Sequence, residues 1–236
     1  MTKPQKSPQE KPPQAKPHQL LVEGKDDQHV IWALCLKHKL PETFSVVVPN
    51  KDSKEDSEDG TDGIEALLSS LPDRLKQEKI RTLGIVVDAD QDLAARWQAV
   101  GGRLKAAGYQ NIPQTPPAEG WVCPSPDRFL PRVGVWLMPD NQLPGMLEDF
   151  IAHLIPANDV LRPKVEAILQ EIEQASINRY TPVHHPKAFI HTWLAWQEKP
   201  GMPMGQAITA RVLGYDQEIA LTFVEWLKCL FEMSPA

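Results

Sequence analysis

The chain is short of cysteine, of tyrosine and of long apolar runs, and each shortage removes a class of protein. Its 236 residues include three cysteines, Cys35, Cys123 and Cys229, and no C-x-x-C pair. That argues against a disulfide framework and a cysteine-rich zinc module, and it fits a reducing, cytoplasmic setting. No stretch approaches the roughly 20 apolar residues of a bilayer-spanning helix. The first residues are polar, so no signal-peptide core is expected either. A G-x-x-x-x-G-K-[ST] phosphate loop is missing, which disfavours an ATPase.

What is present supports one folded core. Hydrophobic residues make up 42% of the chain and charged residues 24%, with a formal net charge of −6; that is too apolar for a fully disordered chain. The charge is unevenly placed. Residues 1–18 carry five prolines, four lysines and one glutamate. Their net +3 leaves −9 for the remainder. Such a segment cannot bury enough surface to offset its ordering entropy, so it reads as a disordered, solubilising tail.

After the tail, short apolar runs alternate with helical patterns. Leu20–Glu23, Phe44–Val48, Leu83–Val87 and Val133–Met138 read as strands. Helical periodicity follows the first at Val30, Ile31, Leu34 and Cys35, then covers Ile64–Leu75 and Leu93–Ala107. Gly101-Gly102 reads as a break in the latter. The acidic segment Asp52–Asp62 reads as a solvated loop and does not match a calcium-binding loop. Asn111–Pro131 reads as a proline-rich connection. Beyond Gly145 the chain looks helical over Met146–Ile155, Val165–Ile177, Pro186–Trp196 and Asp216–Phe231. Near-continuous apolar strands separated by helices imply an α/β fold with a mainly parallel sheet of four strands, or slightly more, covered on both faces. The expected organisation is a tail (1–18), an α/β core (19–156) and a helical C-terminal region packed on it (157–236).

Ligands of open parallel sheets sit beyond the carboxyl ends of the strands. Two strands here run into acids: Glu23-Gly24-Lys25-Asp26-Asp27 and Asp88-Ala89-Asp90-Gln91-Asp92. If those strands are neighbours, Glu23, Asp88 and Asp90 converge. In extended chain, Asp88 and Asp90 project to the same side. Clustered carboxylates repel unless a cation neutralises them, and an all-oxygen set suits Mg²⁺ or Mn²⁺. The plainer alternative is that each acid caps the following helix. His184-His185 lacks the further ligands of a zinc site. Trp193 and Trp196, three apart on a helix, read as core.

The E-G-x-x-D of Glu23, Gly24 and Asp27, followed 65 residues after Glu23 by Asp88-Ala89-Asp90, resembles the Toprim domain of topoisomerases, bacterial primases and OLD-family nucleases. The resemblance implies a Rossmann-like sheet and a Mg²⁺ (or Mn²⁺) site at Glu23, Asp88 and Asp90. It extends to Gly145–Phe150 and Lys187–Ala195, where the OLD-like pattern implies roles for Glu148, with a second metal or the attacking water, and for Lys187, at the phosphate. Both also have plainer readings, a polar helix face and a solvated charge. Asp27 and Asp92 are second choices, and Lys25 could pair with a carboxylate or touch phosphate. The three tyrosines sit in no topoisomerase-like context, and the glycine that usually follows D-x-D in compact RNA-processing relatives is replaced here by Gln91-Asp92-Leu93. The implied function is a Mg²⁺-dependent nuclease acting on DNA or RNA, in repair or phage defence. The alternatives are a non-catalytic metal- or nucleotide-binding subunit with a separately encoded protein partner, and a phosphatase or nucleotidyltransferase.

Overall fold

A computed structural model describes residues 16–49 and 61–233. The expected tail and acidic loop lie largely outside those residues. The tail boundary moves, because Lys16 donates to the Glu42 carbonyl at 2.7 Å and His18 opens the first strand. Backbone pairing recruits these residues despite their polarity: Arg81 N–H donates to the Pro17 carbonyl at 2.7 Å.

The elements in order are β1 (His18–Leu21), α1 (Lys25–Lys37), β2 (Ser45–Val47), α2 (Thr61–Leu75), β3 (Thr82–Asp88), α3 (Leu93–Ala107), β4 (Trp121–Cys123) and β5 (Arg132–Met138), then α4 (Leu147–His153), α5 (Arg162–Gln174), α6 (His185–Ala195), α7 (Met204–Thr209) and α8 (Glu218–Leu230). The sheet has the order β2-β1-β3-β5-β4. Four strands are parallel and β4 runs antiparallel along β5. The α/β expectation holds, with one strand more than the four read from sequence.

Alternation along the strands builds two apolar layers. Leu20, Val22, Val86, Trp136 and Met138 join one cluster with α1 and α4–α8. Leu21, Ile85, Val87, Val135 and Leu137 join the other with α2 and α3. Successive side chains of a strand point to opposite faces, so a strand covered on both sides must be apolar throughout. The C-terminal helices therefore share the core of the sheet. Burial of each such Leu, Ile or Val contributes about 1.5–3 kcal/mol.

The C-terminal helix α8 lies close over the sheet at two glycines. Gly84 and Gly134 are register partners on β3 and β5, and a Cβ on either would come within 2.9 Å of a Leu230 methyl carbon. The same helix is tied down by Arg132, which donates to the Leu230 and Cys229 carbonyls at 3.1 Å each, satisfying acceptors at its C-terminal end. Its Trp226 donates to the Trp121 carbonyl at 3.2 Å, so β4 forms inside the proline-rich connection. Three residues are too few to show periodicity, and tertiary contact decides there.

Three other expectations change. Helix α3 runs straight through Gly101 and Gly102; Gly101 is buried and faces Ile112, so packing outweighs the roughly 1 kcal/mol propensity cost of each glycine. Helix α7, only six residues, follows Pro203 and was not anticipated. Trp193 is core, but Trp196, beyond the end of α6, is 40% exposed. No helix among the described residues is long and apolar enough to cross a membrane.

Candidate functional site

The chain leaves β1 for β2 on one side and later places β3 on the other, so the strand order reverses between β1 and β3. Crevices at such switch points are where open α/β sheets bind ligands. Glu23 follows β1 and Asp88 ends β3, which brings them together as the sequence anticipated. The Glu23 Oε1 accepts the Asp88 N–H at 2.8 Å. In turn, Asp88 Oδ1 accepts the Leu147 N–H at the start of α4, at 2.9 Å.

Asp90 reaches the site by another route than expected. It is not in extended chain: its φ is +53°, and its backbone makes a two-way bridge with Gly145, N–H to O at 2.8 and 2.7 Å. An Asp tolerates this left-handed conformation better than most residues. The bridge ties the D-x-D loop to the loop before α4. The Asp90 carboxylate forms an ion pair with Arg96, a residue on α3 that the sequence reading passed over. Its signal was present in the spacing, since Arg96 sits on the first turn of the helix that the D-x-D loop enters, within reach of the preceding acids.

Glu23, Asp88, Asp90, Arg96, His184 and Lys187 all line one cleft of about 780 Å³. Glu148 does not line it. Glu148 is buried at 5% exposure and is paired with Lys187, Nζ to Oε1 at 3.6 Å, which places it next to the site without opening it to the cleft. Asp27 is buried as well, its Oδ2 accepting the Gly24 N–H at 3.0 Å, so it caps α1 and holds the turn that carries Glu23. Asp149 repeats this arrangement at the start of α4, accepting the Met146 N–H at 2.8 Å. Asp92 caps α3 through the Ala95 N–H at 2.9 Å. Among the described residues, His184 and His185 do not form a metal site; His185 instead pairs with Glu173 at 2.6 Å.

Burial dominates the electrostatics. Desolvation, opposed by the Asp88 N–H and reinforced by Asp27, pushes the Glu23 carboxyl up to about 8. Asp27 is pushed up to about 7 by burial and by the nearby Glu148 charge. Asp88 is raised well above the ordinary carboxylate range by burial and then by Glu23, Asp27 and Glu148. Four acids held this close disfavour full ionisation. The donor set is all oxygen and anionic, which fits a hard divalent cation. Among the described residues, however, no three His, Cys, Asp or Glu side chains already form a ready metal cage. Glu23 and Asp88 face backbone donors and Asp90 faces Arg96, so these carboxylates must turn to share an ion.

Fold and site together define an α/β protein with an acidic cleft at the switch point of a mostly parallel sheet. The chain belongs to the DUF3226 family, described as a protein of unknown function, which it matches over residues 17–232. No curated protein matches it, and no solved structure does.

Proposed function

We propose that this protein is a Mg²⁺-dependent (or Mn²⁺-dependent) nuclease that hydrolyses phosphodiester bonds in DNA or RNA. The observation that carries the reading is the direct Glu23–Asp88 contact at the carboxyl ends of adjacent parallel strands, in a cleft that also holds Asp90, Arg96 and Lys187. The resemblance of E-G-x-x-D and D-x-D to the Toprim pattern supports it. Glu23, Asp88 and Asp90 are the residues that would hold the ion. A divalent cation at such a site supplies acidified water and neutralises developing phosphoryl charge. Lys187 contributes a positive charge on the cleft wall for the substrate phosphate. Glu148 orients that lysine from the buried side, and Asp27 holds the Glu23 turn.

The test is incubation of the protein with plasmid and with RNA in Mg²⁺ or Mn²⁺, beside Asp88→Ala. Cleavage by the wild type alone is expected, and equal cleavage by both would overturn the reading. A second reading, a non-catalytic metal- or nucleotide-binding subunit for a separately encoded partner, draws on the engagement of each carboxylate with a protein donor. Calorimetric binding of a mononucleotide with Mg²⁺, without any cleavage, would favour it.

A further inference from the structure

We propose that Arg96 gates the cleft: it holds the Asp90 carboxylate in the ion-free protein, and a divalent cation that takes Asp90 releases the guanidinium to grip a substrate phosphate. The inference rests on the metal reading above and adds a positioning residue to it.

The acids of the site are held by partners of different kinds. Glu23 and Asp88 accept from backbone N–H groups, which cannot leave without unfolding. Asp90 alone among Glu23, Asp88 and Asp90 is held by a side chain, Arg96. Its backbone is pinned by the Gly145 bridge, and the base of Arg96 is fixed in α3, whose first turn is capped by Asp92. Within the Asp90–Arg96 pair, only the side chains are therefore free to rearrange. The Asp90 side chain is 44% exposed and that of Arg96 15%, so the acid is the accessible member of the pair.

The guanidinium is also incompletely used. One edge presents Nε and Nη2, a fork suited to two oxygens of a carboxylate or phosphate. Nη2 meets Asp90, while the buried Nε–H has no hydrogen-bond partner among the described residues. A phosphate in the same cleft would accept from both. A divalent ion also repels the nearby guanidinium, so loading the ion and turning Arg96 toward an anion favour each other.

Three variants of the full chain test the gate: Arg96→Gln, Asp90→Asn and the double substitution. In calorimetric titration with Mn²⁺, Arg96→Gln should bind the ion about threefold more tightly than the wild type, because the competing ion pair is gone. With Ca²⁺ present, Arg96→Gln should bind an oligothymidylate about tenfold more weakly. Without metal, Asp90→Asn should bind the oligothymidylate more tightly than the wild type, and the double variant should lose that gain. Damage to folding would not raise an affinity. Unchanged or weaker Mn²⁺ binding by Arg96→Gln, unchanged oligothymidylate binding by it, or a gain that persists in the double variant would each overturn the gate. A wild type that takes up Mn²⁺ and cleaves while failing these tests overturns the gate alone; a wild type that takes up no Mn²⁺ overturns the metal reading with it.

Discussion

The Glu23 carboxylate is bound across the sheet to the backbone N–H of Asp88 at 2.8 Å, while the Asp88 carboxylate points on to the N–H of Leu147. Two acids at the carboxyl ends of neighbouring strands are thus held in series by backbone donors. Each is raised above the ordinary carboxylate range, chiefly by burial. A fold that keeps such a cluster carries a local destabilisation that has no role in packing, which is how functional sites commonly stand out.

Asp88→Asn separates the two properties. The amide oxygen can still accept from Leu147 N–H, and the carboxyl that burial forces to be either charged at a cost or protonated is gone. The metal-free variant is expected to melt higher than the wild type at pH 8, by about 2–4 °C for each kcal/mol of relief in a domain of this size. The same variant should lose phosphodiester cleavage. Scanning calorimetry in chelator checks the first half; a lower melting temperature would contradict the account of burial and like-charge repulsion.

Stability should also fall as pH rises. Glu23 has an ordinary value of 4.5 and is raised to about 8 in the fold; Asp27 moves from 3.8 to about 7. Between those limits the folded state holds protons that the unfolded state has released. The slope of unfolding free energy with pH is then negative. The contribution is complete below the unfolded values and is lost as pH passes through about 7 to 8. A cation that binds the ionised cluster competes with these protons, so stabilisation by Mn²⁺ should grow from pH 6 to pH 8.5 with proton release. Urea titrations across that range, with and without Mn²⁺, measure both effects. A Mn²⁺ effect independent of pH would place its site elsewhere.

Lys187 and Glu148 offer a third measurement. Glu148 is nearly fully buried, and the 3.6 Å pair with Lys187 is its salt bridge among the described residues. Lys187→Met should destabilise the protein by about 0.5–1 kcal/mol, a modest figure because the lysine is half exposed. Adding Glu148→Gln should restore most of the loss, since the neutral amide no longer needs the cation. A double-mutant cycle by urea denaturation reads the coupling, and additive losses would count against the pair.

The strands and the two acidic motifs were legible because they depend on local pattern. Leu83–Val87 is apolar throughout since both faces are covered, and Glu23 and Asp88 follow their strands in sequence as in space. The features that escaped depend on distant contacts. β4 exists because Trp121 is buried beside β5 and its carbonyl accepts from Trp226, 105 residues away. The left-handed turn at Asp90 is imposed by Gly145, and no pattern within D-x-D announces it. Arg96 was hidden by its ordinary place on an amphipathic helix, where a charged residue is expected for solubility alone. Glu148 read as a cleft residue from its motif, yet the turn of α4 directs it to the buried side, against Lys187.

Gly145 links these points, and its substitution tests whether the D-x-D geometry matters to function. Its φ of +147° disfavours any other residue, and a Cβ there would lie 2.7 Å from Asp149 Oδ2 and 3.0 Å from Pro139 Cδ. Gly145→Ala should therefore cost about 1–3 kcal/mol of stability. It should also shift the bridge that positions Asp90. A useful comparison is Gly134→Ala within β5, where the new methyl meets Leu230 on the helix α8, at a similar overpacking cost of about 1–3 kcal/mol. Assayed well below both melting temperatures, Gly134→Ala should keep Mn²⁺ binding and cleavage while Gly145→Ala weakens both. Stability alone treats the two substitutions alike; only a role for the Asp90 loop in the site predicts that they differ, and equal behaviour would remove Asp90 from the proposed metal set.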